Sequence, residues 1–211
     1  MRQHRIRKNK FMENIKQIID IILNLIVVAD MIVFTIMSFK KDGEWKLQNG
    51  KRPLKYFTFL SNVHLAIASL LIILFPQSFI VWMIKYTSAA AVTVTMITVL
   101  VFLGPTIGYK IVLTGRELWM HLINPLIAIV TFTILERRSL SFVYLLFGML
   151  PVVLYGILYY YKVLVVKNEE KKWDDFYGYN KGGKWYISII LMLVGTFAIC
   201  MAYYFTGKIN L

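Results

Sequence analysis

Six stretches of this chain each run for roughly 18–25 residues almost without charge, and that pattern constrains the fold more than any other feature. They fall at about 14–38, 56–75, 82–103, 117–135, 142–161 and 186–206. A helix rises about 1.5 Å per residue, so each run is long enough to cross a hydrocarbon core of about 30 Å. The expectation is an all-α polytopic membrane protein: one domain over residues 1–211, built as a bundle of six transmembrane helices.

Composition agrees. Hydrophobic residues make up 58% of the chain and its mean hydropathy is +0.63, whereas soluble domains sit nearer about 45–50% apolar. The first run carries Asp20 and Asp30, is too long for a cleavable signal, and has no small-x-small site before the next loop. The single cysteine, Cys200, lies in the last run, so neither an intrachain disulfide nor a cysteine metal cluster is expected. HExxH, CxxC and phosphate-loop patterns are lacking, so no metal or cofactor is expected. A net charge of +13 suits nucleic acid in a soluble protein. In a membrane protein the basic loops meet anionic headgroups, so the expected partner is membrane lipid and not nucleic acid.

An even number of spans returns both termini to one face. The long connections (39–55, 104–116, 162–185) then lie on the opposite face, and only short turns near 76–81 and 136–141 share the terminal one. Lys85, Arg137 and Arg138 are counted with those short turns. The dense group Arg2, Arg5, Arg7, Lys8 and Lys10 before the first span favours cytoplasmic termini; the total of Lys and Arg favours the reverse. In the third span, "TSAAAVTVTMIT" reads as a close helix–helix contact, because small residues let backbones approach. "WDDFYGYNKGGKW", Trp173 to Trp185, reads as a structured loop with an interfacial aromatic belt.

Polar groups inside apolar runs are expensive and need a reason. Here they are Asp20, Asp30, His64 and His121, with amides at Asn24, Asn62 and Asn124. Asp20 is close enough to the terminal face to reach headgroups; Asp30 lies deeper, as a hydrogen-bond partner or as part of a site. In the second span, "YFTFLSN" opens a helix whose 100° steps put Thr58, Ser61, Asn62 and Ser69 on one face. His64 points away from them. In the fourth, "HLINP" sets His121, Asn124 and Pro125 on one face, and Pro125 deprives the His121 carbonyl of its amide partner. Counted from the span starts, Thr58 and His121 lie at matching depth. A hydroxyl beside an imidazole is the minimum equipment for an activated alcohol nucleophile. Packing alone also accounts for each residue, since membrane threonines commonly bond back to their own helix.

The pair "YFTFLSN" and "HLINP" on a six-span chain resembles the androgen-induced-gene and ADTRP-like membrane hydrolases and their bacterial six-pass relatives. The bacterial members carry similar F-T-x-x-S-N and H-x-x-x-P segments. The resemblance implies a threonine nucleophile at Thr58 and a histidine at His121 that cleave fatty acid esters of hydroxy fatty acids, or a similar lipid ester, within a bacterial cell membrane. Asn62 and Asn124 are the expected oxyanion donors, with Asp30 as polar support. Lys55, Arg52 and Arg116 near the mouth are candidates to hold a substrate carboxylate, or are headgroup anchors. Two other readings stay open: a small transporter or channel using Asp30, His64 and His121, and a non-catalytic scaffold.

Overall fold

The computed structural model describes residues 2–41 and 43–209; for 2–6, 8, 9 and 41 only the backbone is described. The chain is all-α, with six helices long and apolar enough to cross a membrane: Lys10–Ser38, Phe57–Leu74, Phe79–Ile107, Arg116–Leu135, Phe142–Val165 and Trp185–Thr206. The first belongs to a longer helix, Arg2–Ser38. Two-residue strands, Lys40–Lys41 and Glu44–Trp45, pair antiparallel in the connection that follows.

Two compact units divide the chain at residues 138 and 139. The first unit holds four spans. Its centre is the third span, where Ala89, Ala90 and Ala91 are wholly buried, and where the Ser61 and Thr95 hydroxyls meet at 3.1 Å across the contact with the second span. The small residues do what their size predicts and let two helices approach.

Lys85 departs from its expected place. It lies inside the third span and is wholly buried, not in a short turn. The helix starts earlier than the apolar run because Ser78 caps it: the Val81 amide donates to the Ser78 hydroxyl at 3.3 Å.

The fourth span is wound wide over Trp119–Ile123, where the Asn124 amide reaches back five residues to Trp119. In that register the amide that would serve Met120 is the one Pro125 lacks. The carbonyl that the structure shows capped from outside is therefore Met120's, one residue before the one expected.

The second unit holds the fifth and sixth spans and the loop between them. Asp175 organises that loop: its carboxylate accepts from the Tyr159 hydroxyl at 2.9 Å and from the amides of Tyr179 and Asn180 at 2.8 Å each. Rings of Tyr159, Phe176, Tyr177 and Tyr179 pack around it. Burial raises the Tyr179 phenol above its ordinary range, helped by Tyr177 and the Asp175 charge.

Candidate functional site

The second span is prepared by a tight turn, Arg52–Lys55, in which Pro53 sits near the start. Tyr56 is extended, and the helix begins at Phe57. Thr58 is thus the second helical residue and is half-buried. Most intramembrane hydroxyls of this unit donate to their own helix: Thr93 to the Ala89 carbonyl at 2.8 Å, Thr131 to Ala128 at 3.2 Å, Thr133 to Ile129 at 2.6 Å. The Thr58 hydroxyl has no hydrogen-bond partner among the described residues. Its position explains this, because the carbonyls it would back-bond to lie in the preceding turn.

His121 is buried in the fourth span, with 7% of its surface exposed. Its Nδ1 is 2.7 Å from the Val112 carbonyl. A carbonyl only accepts, so Nδ1 carries a hydrogen, and in the tautomer this selects the lone pair falls on Nε2. Nε2 lies 3.6 Å from Oε2 of Glu117, one turn earlier on the same helix. The other oxygen of Glu117 takes Arg116 at 3.1 and 3.3 Å. Arg116, a candidate for a substrate carboxylate, is spent on Glu117. Lys55 lies 5.1 Å from the centre of the Tyr56 ring, and Arg52 is exposed in the turn before the span.

One amide ties the two spans at the level of these residues. Asn62 Nδ2 donates to the Thr58 carbonyl at 2.8 Å and to the Met120 carbonyl at 3.0 Å. The backbone carrying Thr58 and the backbone next to His121 are therefore no further apart than two hydrogen bonds to one nitrogen. Asn62 spends both amide hydrogens in this way, so it works as a strut between spans. Its Oδ1 in turn accepts Asn124 Nδ2 at 3.0 Å. Met31, Phe59 and Met120 form the apolar floor beside this network.

Asp30 completes the group from the first span. Its carboxyl sits beside the N–H side of the Asn124 amide. Among the described residues, both Asp30 oxygens and Asn124 Oδ1 are buried with no partner at full hydrogen-bond geometry.

The face expected to run from Thr58 to Ser69 divides by partner: Asn62 addresses the fourth span, Ser61 and Ser69 the third. His64 stands apart, with Nε2 3.4 Å from the Thr87 hydroxyl.

We expect Asn62→Leu to destabilise the protein by about 1–3 kcal/mol, the usual cost of stranding buried polar partners. Thermal unfolding in detergent checks this.

A second polar cluster in the same unit was invisible to the reading of spans. Lys85 donates to Asn24 Oδ1 at 2.5 Å and to the Ser69 hydroxyl at 2.8 Å, and its ammonium is 3.8 Å from Glu136. Asn24 Nδ2 bridges Glu136 at 3.0 Å and Asp20 at 3.1 Å. Asp20 is thereby drawn into the protein, not out to headgroups. The signal for this cluster was the i, i+4 pair Asp20 and Asn24, with Lys85 nearly two turns inside a capped helix.

Comparison of the chain with family models, with curated proteins and with solved structures finds no match to any of the three.

Proposed function

We propose that this chain is an intramembrane lipid-ester hydrolase, with Thr58 as nucleophile and His121 as general base. The observation that carries the reading is the Asn62 amide, bound at once to the Thr58 and Met120 carbonyls. It holds an unpartnered hydroxyl and a buried imidazole on adjoining turns of two spans. A scaffold has no need of an uncommitted hydroxyl there.

In the first half-reaction Thr58 Oγ1 attacks the ester carbonyl carbon while His121 Nε2 takes its proton. The tetrahedral intermediate then expels the alcohol, which leaves with that proton, and an acyl-threonine remains. In the second half, Nε2 takes a proton from water as its oxygen attacks the acyl carbon. The acid departs as the proton returns to Thr58. The imidazolium formed in each half keeps its Nδ1 hydrogen on the Val112 carbonyl and faces the Glu117 carboxylate.

The developing oxyanion needs donors. Thr58 and Phe59, as second and third residues of their helix, have amides without an intrahelical acceptor, and Asn124 retains one amide hydrogen beyond its bond to Asn62. An ester of a hydroxy fatty acid, or a similar lipid ester, suits a site entered from lipid. Lys55 and Arg52 remain to receive a substrate carboxylate. The proposal includes a bacterial cell membrane with both termini in the cytoplasm.

A fluorophosphonate carrying a long alkyl chain tests the assignment. The purified protein is expected to be labelled at Thr58, as read by peptide mapping, and Thr58→Ala to remain unlabelled. Equal labelling of the Ala variant overturns the proposal.

A further inference from the structure

Around Asn24 the carboxyls outnumber the cations. The Lys85 ammonium only donates, so Asn24 turns Oδ1 to it and Nδ2 away. That Nδ2 then has two hydrogens for three acceptors: the Asp20 carbonyl at 3.0 Å, Asp20 Oδ1 at 3.1 Å and Glu136 Oε1 at 3.0 Å. Two carboxyls, one from the first span and one from the end of the fourth, thus meet on one nitrogen. They also stand within hydrogen-bonding reach of each other. The Glu136 side chain is only 4% exposed, and its Oε2 is buried without a partner among the described residues.

The charges around the pair do not balance. Lys85, 3.8 Å from Glu136, is the one cation among the described residues that forms an ion pair with either carboxyl. Ser69, from the second span, is neutral, and so is Trp82, whose indole donates to the Glu136 backbone carbonyl at 3.0 Å. Arg138 is turned to the Pro76 carbonyl and the Trp82 ring. Lys16, one turn before Asp20, is exposed, and Arg137 makes no ion pair among the described residues. Two carboxylates beside one ammonium would leave a buried negative charge without a partner and two like charges in contact. Carboxyls so placed do not both ionise.

We propose that Asp20 and Glu136 hold one proton between them, and that with Lys85 they form a proton-binding site that is neutral when filled. One hydrogen supplies the donor that the acceptors lack and cancels the surplus charge. The proton belongs to the pair and not to either acid. Asn24, Ser69 and Lys85 are wholly enclosed, whereas Asp20 is half-buried, so the proton enters and leaves through Asp20. The site shares no residue with the Thr58 and His121 group, and it stands whether or not the chain hydrolyses esters.

Infrared difference spectra of the purified protein in detergent read the proton directly. At neutral pH, parent minus Asp20→Asn is expected to show one carboxylic-acid carbonyl band, and parent minus Glu136→Gln the same band. Either substitution leaves one carboxylate for one ammonium, so no proton remains to be shared. A proton owned by a single acid would be lost in one variant and kept in the other, and that result overturns the proposal. Should a variant fail to fold, the parent decides alone: its band is expected to shrink in alkali and to return on acidification. A parent without the band at neutral pH, or with a band that alkali leaves intact, overturns the site. So does a rise in melting temperature with added sodium that either substitution abolishes, because the pair would then hold a metal cation in place of the proton.

Discussion

His121→Asn is expected to lower turnover by about 100- to 10,000-fold, the range of a lost general base, while leaving the melting temperature close to that of the parent. The substitution separates two jobs of one ring. The asparagine Nδ2 occupies the place of the imidazole Nδ1 and keeps a donor for the Val112 carbonyl, now held at 2.7 Å. What disappears is Nε2, the atom proposed to take the proton from Thr58. KM should change little, because substrate binding through the acyl chain is untouched and the lost interaction exists only in the transition state. Steady-state kinetics on a long-chain ester, run beside thermal unfolding, gives both readouts. Turnover within tenfold of the parent would exclude His121 as the base, whatever its position.

Much of this architecture is written in hydropathy, because lipid imposes a length and a composition that a sequence displays directly. All six spans match their apolar runs closely, and the second, Phe57–Leu74, lies within one residue of the run at either end. Reading runs of apolar residues has a cost at Lys85. The third run, 82–103, already contained Lys85, yet the residue was counted with the turn before it because a charge reads as an interfacial residue, and the most buried cation was assigned to the terminal face. The capping serine, Ser78, sets the helix start at Phe79, three residues before the run. The partners of Lys85 come from three other segments, and no spacing rule connects Asn24, Ser69 and Glu136.

The candidate site divides in the same way. The levels of Thr58 and His121 followed from counting residues from the span starts. The direction of each hydrogen bond did not. Pro125 announced an orphaned carbonyl, yet which one depends on whether the turn before it is wound at four or five residues, and that choice is made by packing. Glu117 stands four residues before His121, a separation visible in the sequence. Its carboxylate gained meaning once the imidazole was seen to turn back toward it.

Replacing Lys85 with methionine is expected to destabilise the protein by about 3–5 kcal/mol, the cost of breaking a buried ion pair from one side. Methionine has nearly the length and flexibility of lysine, so the packing term is small. The loss arises from what the ammonium leaves behind. Asn24 Oδ1 and the Ser69 hydroxyl lose their donor, and Glu136 keeps a buried carboxylate whose Oε2 already has no partner. Glu136→Gln in the Lys85→Met background removes that charge and should recover most of the stability, because a pair replaced on both sides costs far less than a pair broken on one. The two substitutions should therefore be strongly non-additive, by more than the roughly 0.3–0.5 kcal/mol that separates independent sites. Unfolding of the single and double variants in one detergent measures the coupling directly. Additivity within that margin would mean that Lys85 and Glu136 do not depend on each other, and the cluster would lose its account as a mutually neutralised group in the interior.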